Sequence, residues 1–167
     1  DWNVALGHNA LSAVTTGDKN IAIGAEANND VTTGENNIAI GFLANDETTT
    51  GGQNIAIGNT ALGKNVAGSY MTAIGNNAGE YAGLHGGAAV NNFGVYIGLT
   101  AGRYQTGSYN VFVGDYAGTG AQTSAPYGSG GRLVAVGSYA LAYHISGDSN
   151  IAMGYSALGS SRSGSFN

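Results

Sequence analysis

Asn20-Ile21-Ala22-Ile23-Gly24 decides the reading of this chain, because it returns as Asn37-Ile38-Ala39-Ile40-Gly41 and as Asn54-Ile55-Ala56-Ile57-Gly58. Each copy starts 17 residues after the last. Self-similarity at such a fixed period is the mark of a solenoid, in which each repeat buries its apolar face only by stacking on its neighbours. With the motif glycine as reference, copies fall at Gly7, Gly24, Gly41, Gly58, Gly75, Gly98, Gly114, Gly137 and Gly154, at intervals of 17, 17, 17, 17, 23, 16, 23 and 17. Nine coils are readable, and two links carry insertions.

Around each glycine the pattern alternates as a strand does. An aliphatic residue or Met stands one position before it, from Leu6 and Ile23 to Val136 and Met153, and another apolar residue stands three before, with Thr72 the exception. Between them lies Ala in seven coils (Ala5, Ala22, Ala39, Ala56, Ala73, Ala135, Ala152). Successive strand residues point to opposite faces, so one face is bulky and the other small. The expectation is that Ile21 and Ile23 fill a thin core, while the Ala22 face lets another chain approach. Three residues after the glycine Ala stands in all nine coils (Ala10, Ala27, Ala44, Ala61, Ala78, Ala101, Ala117, Ala140, Ala157), as a position enclosed by backbone would require. The two positions before it vary and read as outward-facing. A second glycine, at Gly17, Gly34, Gly51, Gly68, Gly107, Gly147 and Gly164, marks the other corner, and Asn follows three later at Asn20, Asn37, Asn54, Asn110, Asn150 and Asn167. In stacked coils about 4.8 Å apart these asparagines can form a side-chain amide ladder.

Composition limits the function. Leu, Ile, Val and Phe make about a fifth of the 167 residues, little for a self-sufficient core, yet only 9% are charged, which is not the composition of a disordered polyelectrolyte. A net charge of -5 with no basic cluster argues against nucleic acid. The absence of cysteine permits an oxidising compartment without indicating one. No apolar run approaches 18 residues, so no membrane insertion is expected. The chain opens just before Asn3 and stops on Asn167, where a tenth coil would begin, as a segment of a longer fibre would.

The thin core of a 17-residue coil is marginal for one chain, which points to a homo-oligomer closing on the Ala face, a cyclic homotrimer being the natural closure of a fibre. The copies Asn54-Ile55-Ala56-Ile57-Gly58-Asn59-Thr60-Ala61 are similar to the head repeats of trimeric autotransporter adhesins. With the connecting Thr32-Thr33-Gly34-Glu35-Asn36-Asn37, they resemble still more the repeats of phage tail fibres and bacterial surface fibres that end in a self-cleaving chaperone. The resemblance implies an all-β fold, a left-handed parallel β-roll of about nine 17-residue coils wound as a homotrimer. It further implies an extracellular place, at a cell surface or on a virion tail, and attachment to a host, prey or matrix surface. It transfers no binding residues. The 23-residue links depart from the usual repeat, and no chaperone segment is present.

Aromatic residues divide the array. All ten tyrosines lie from Tyr70 onward, while residues 1–69 hold only Trp2 and Phe42. Residues 1–75 therefore read as a regular stalk, 76–136 as the insertion-bearing, tyrosine-rich binding region, and 137–167 as regular repeats. Tyr presents rigid amphipathic area at small entropic cost, which suits binding surfaces. The candidate ligand-binding residues are Tyr81, His85, Arg103, Tyr104, Tyr109, Tyr116, Tyr127 and Arg132, facing a cell-surface glycan or another envelope component. Tyr96 and Phe112, which replace the central Ala in two successive coils, read as buried packing residues.

Other chemistry fits less well. The hexapeptide pattern of left-handed β-helix acyltransferases is met by Ile23 to Asn28 but not by residues 29–34. A polysaccharide-cleaving enzyme would need paired carboxylates, for which Glu80 and Asp115 are the nearest candidates, and a purely structural spacer is the other alternative. His8, His85 and His144 occupy different phases of the repeat, so no metal site is expected from stacking, and no phosphate-binding or dinucleotide motif is present, so no cofactor is expected. His144, Ser146 and Asp148 lie on a turn without a nucleophile elbow.

Overall fold

The fold follows from stacking one short strand per repeat. In the computed structural model, which describes residues 2–83, 93–120 and 128–166, the strands are β1 (Val4–Leu6), β2 (Ile21–Ile23), β3 (Ile38–Ile40), β4 (Ile55–Ile57), β5 (Thr72–Ile74), β6 (Val95–Ile97), β7 (Val111–Val113), β8 (Val134–Val136) and β9 (Ile151–Met153). They form one parallel sheet in chain order. Every pairing keeps motif register, Ala22 against Ala39 and Tyr96 against Phe112, so both long links leave the sheet undisturbed. The chain is an all-β parallel solenoid, its sheet spanning about 38 Å at about 4.8 Å per strand. Among the described residues no helix is long and apolar enough to cross a membrane.

The inside and outside of the strand are the reverse of the sequence expectation. Ala22, Ala39, Ala56, Ala73 and Ala135 are fully buried within the coil, together with the second alanine column from Ala27 to Ala140. Ile21 and Ile23 point outward; Ile23, Ile40, Ile74 and Ile97 are each 36 to 38% exposed. Ala22 therefore cannot be the seam between chains. The physical reason is the width of the coil: the second alanine column and a buried Leu or Asn, as at Leu11, Asn28, Asn45 and Leu62, occupy the side opposite the strand and leave the strand wall room for a methyl group, so its larger aliphatic side chains face out. The remaining interior is filled by single larger residues such as Val31, Leu62, Met71, Leu133 and Leu141.

The two corners explain the invariant glycines. Gly24 has φ +132°, in the region that disfavours side chains, and a Cβ there would lie 2.5 Å from the Gly41 carbonyl oxygen. At the other corner a Cβ on Gly34 would lie 2.4 Å from the Gly51 oxygen. The glycines are small because the next coil's backbone passes over them.

The asparagine ladder exists, but it joins side chain to backbone rather than amide to amide. The Asn20 N–H donates to Asn3 Oδ1 at 2.8 Å, the Asn37 N–H to Asn20 Oδ1 at 2.9 Å, and the Asn54 N–H to Asn37 Oδ1 at 3.1 Å. Each Nδ2 in turn donates to a corner glycine carbonyl, as Asn20 does to Gly34 at 2.8 Å and Asn37 to Gly51 at 2.9 Å. One buried Asn thus satisfies an amide and a carbonyl of the adjacent coil, groups that would otherwise be costly to bury. A true side-chain ladder runs elsewhere: Asn45 Nδ2 donates to Asn28 Oδ1 at 2.7 Å, Thr48 Oγ1 to Asn45 Oδ1 at 2.7 Å, and Asn65 Nδ2 to Thr48 Oγ1 at 3.0 Å.

Tyr96 and Phe112 are fully buried inside the coil, 5.8 Å apart between ring centroids. Room for them comes from glycine four residues after the motif glycine, where Leu or Asn stands in the coils of β1 to β4. A Cβ on Gly102 would lie 2.3 Å from the Tyr96 ring, and one on Gly118 2.6 Å from the Phe112 ring. The Ala face does not open at this point; its partner column shrinks.

One carboxylate is poorly accommodated. Asp46 Oδ1 is buried and has no hydrogen-bond partner among the described residues. Desolvation, reinforced by the neighbouring Asp30 charge, pushes Asp46 up to about 6 from its ordinary 3.8. The folded state therefore holds this proton more tightly than the unfolded chain. Stability falls as pH rises from about 4 to about 6 and is flat above. Because Asp46 is partly solvated, the loss is about 1 kcal/mol rather than the full linkage value. Asp46→Asn is expected to match the wild-type chain below pH 4 and to exceed it by about that amount at pH 7 in denaturant titrations. Equal pH profiles for the two proteins would contradict this assignment.

Candidate functional site

The repeat makes columns, and the candidate site lies where two of them face each other across a turn. Two residues after the motif glycine the backbone is left-handed in every coil, as at Thr100 (φ 54°), Tyr116 (φ 55°) and Tyr139 (φ 60°). Five and six residues after it come Glu80 and Tyr81, then Arg103 and Tyr104 in the next coil. Between these columns Thr100, Arg103, Tyr104, Tyr116 and Thr119 line a cleft of about 160 Å³. That is below the ~300–1,000 Å³ of pockets for drug-sized molecules and suits a single ring-sized group.

Each wall is held by a neighbour along the stack. Tyr104 stacks on Tyr81 at 5.1 Å between centroids, and Tyr116 on Tyr139 at 5.1 Å with planes 2° apart. Desolvation, with the nearby Asp115 charge, raises the Tyr139 phenol above its ordinary value. Arg103 Nε donates to Glu80 Oε2 at 2.5 Å, and its guanidinium carbon lies 5.0 Å from the Tyr104 ring centroid. Glu80, itself buried, also accepts from Asn77 Nδ2 at 3.1 Å.

The floor is polar. Thr119 Oγ1 donates within the turn, 2.8 Å from the Tyr116 carbonyl. Thr100 is 6% exposed, and its Oγ1 has no hydrogen-bond partner among the described residues. A buried hydroxyl without a partner costs free energy, and one that borders a cleft has its missing partner available in whatever enters.

Of the residues expected from sequence, Arg103, Tyr104 and Tyr116 line this cleft and Tyr81 backs it. Tyr109 does not join them: it stands at another corner, in an exposed stack with Phe93 (5.1 Å) and, beyond it, Tyr70 (4.9 Å). Phe93 is stacked on both faces there, and all three rings are about half exposed. Arg132 pairs with Asp148 at 2.8 Å in the next coil. His85 and Tyr127 lie outside the described residues. Thr100 and Thr119 were not singled out by sequence, since the column of Thr100 is otherwise outward-facing; the signal was a hydroxyl residue flanked by the altered coils of Tyr96 and Phe112. A second tyrosine-lined cleft, of about 250 Å³, lies two coils farther on between Tyr139, Tyr143, Tyr155 and Ser160.

The other chemistry weighed from sequence finds different surroundings. His144 is buried with Nε2 2.9 Å from the Gly147 carbonyl oxygen and Nδ1 3.3 Å from that of Ser161, whereas Asp148 is engaged by Arg132. Among the described residues no group of three His, Cys, Asp or Glu side chains is placed to hold a metal ion. Comparison of the chain with family models, with curated proteins and with solved structures finds no match.

Proposed function

We propose that this chain is a segment of a homotrimeric, extracellular adhesive fibre that binds a cell-surface glycan without cleaving it. The observation that carries the reading is the cleft between Tyr104 and Tyr116, floored by Thr100, whose buried hydroxyl has no partner among the described residues. Aromatic walls offer an amphipathic fit to the apolar faces of a sugar, and a buried hydroxyl and a guanidinium supply the few oriented polar contacts that give such a site its specificity. Glu80, which reaches the cleft through Arg103, is engaged by that residue's guanidinium, which supports binding over hydrolysis.

Assembly has separate support. The outward aliphatic residues form a continuous apolar band along the sheet, including Ile23, Ile40, Ile74, Ile97 and Val111, each more than a third exposed. Contiguous apolar surface on this scale marks an interaction face. In the proposed trimer this band, and not the Ala column, packs about the threefold axis, which extends a core that one coil cannot complete.

Tyr104→Ala and Tyr116→Ala, tested on a glycan array, are each expected to lower binding by at least about tenfold, the scale of a lost anchor residue. Tyr109→Ala, at the other corner, is expected to leave it unchanged. Retention of full binding by both cleft variants would overturn the site.

A further inference from the structure

Resting on that reading of the cleft, we infer that the sugar it takes is acidic, a pyranoside whose carboxylate is gripped by the terminal nitrogens of Arg103. Arg103 is fixed from behind: its Nε donates to the buried Glu80 carboxylate, and its plane lies beside the Tyr104 ring. Among the described residues Nε is the one guanidinium nitrogen with a partner. Among the described residues Nη1 and Nη2 have no partner, and Arg103 lines the cleft.

A planar fork anchored at one nitrogen and open at the other two is suited to a carboxylate, which accepts two parallel hydrogen bonds from it. Glu80 neutralises the charge of Arg103, so attraction by net charge does not account for such a site. What the pair provides is orientation, with little side-chain entropy left to lose on binding. Thr100, 6% exposed as a residue, lines the same cleft, and its buried hydroxyl has no partner among the described residues, so it becomes a second polar contact only if the side chain turns toward the occupant. A volume of about 160 Å³ suits one sugar residue at a time.

The test is a glycan array carrying uronic and other carboxylate-bearing sugars beside the same glycans after conversion of each carboxylate to a carboxamide, with neutral and phosphorylated sugars as further arms. The wild-type chain is expected to bind the acids at least about tenfold better than the matched amides, the range for hydrogen bonds to a charged group. Arg103→Lys keeps a cation beside Glu80 but lacks the fork, and is expected to lose most of this preference while melting as the wild-type chain does. Arg103→Ala is expected to abolish it. Glu80→Gln, which loosens the fork without touching the sugar, is expected to reduce the acid-to-amide ratio more than total binding. Binding that is indifferent to amidation and to Arg103, or equal for phosphorylated and carboxylated sugars, would overturn the acidic-sugar assignment and leave the glycan reading standing. Absence of binding to every glycan would overturn both.

Discussion

Phe112→Ala is expected to destabilise the chain by about 3–5 kcal/mol, the range for removing a buried aromatic ring whose site cannot collapse. Collapse is prevented on both sides. Gly118 and Gly102 have no side chains to move into the space, and the strand backbone is pinned by the β6–β7 and β7–β8 ladders. The double variant Phe112→Ala/Gly118→Leu is expected to recover a large part of the loss, because it recreates the pairing of Ala135 with Leu141, both fully buried one coil away. Leu at that position must adopt φ near +50°, as Leu62 and Leu141 already do, which keeps the recovery incomplete. Denaturant titration at fixed protein concentration measures both, since assembly makes apparent stability concentration-dependent. A double variant no more stable than the single one would show that ring and glycine are not a matched pair.

Ile40→Asp with Ile57→Asp is expected to dissociate the fibre into folded single chains, whereas Ala39→Asp alone is expected to prevent folding. The contrast follows from burial. Ile40 is 36% exposed in the single chain, so a charge there stays hydrated until a second copy covers it. Ala39 is fully buried, and an unpaired carboxylate forced against a strand wall with room for a methyl group costs several kcal/mol. Light scattering separates the outcomes. The opposite result, a folded monomer from Ala39→Asp and an intact assembly from the outer-face variant, would restore the Ala column as the seam.

The period, the parallel stacking and the corner glycines were legible because each is a backbone requirement repeated at the same phase in coil after coil. The two faces of the strand were not assignable in the same way. Alternation shows that Ala22 and Ile23 point apart, but placing bulky residues inside assumes a core wide enough for them, and the bore of this coil is set by turns whose path the pattern does not encode. The packing of Tyr96 and Phe112 was readable in part; the glycines at 79, 102 and 118, in the coils around them, held the missing half. The cleft was legible as residue types and not as a place. Arg103, Tyr104 and Tyr116 come together because columns five, six and two residues past the glycine converge across a turn, whereas Tyr109, which lies between them in sequence, belongs with Arg132 to another corner. Thr100 shares a column with exposed residues such as Asn9, and only the structure shows its hydroxyl buried beside the cleft.

The most direct measurement is a crystal structure of the chain in its solution assembly. Three copies related by a threefold axis are expected, with the outward aliphatic residues of β2 to β8 packed around it and the cleft between Thr100 and Thr119 open to solvent. An interface built on the Ala22 column, or a neighbouring copy filling that cleft, would contradict it.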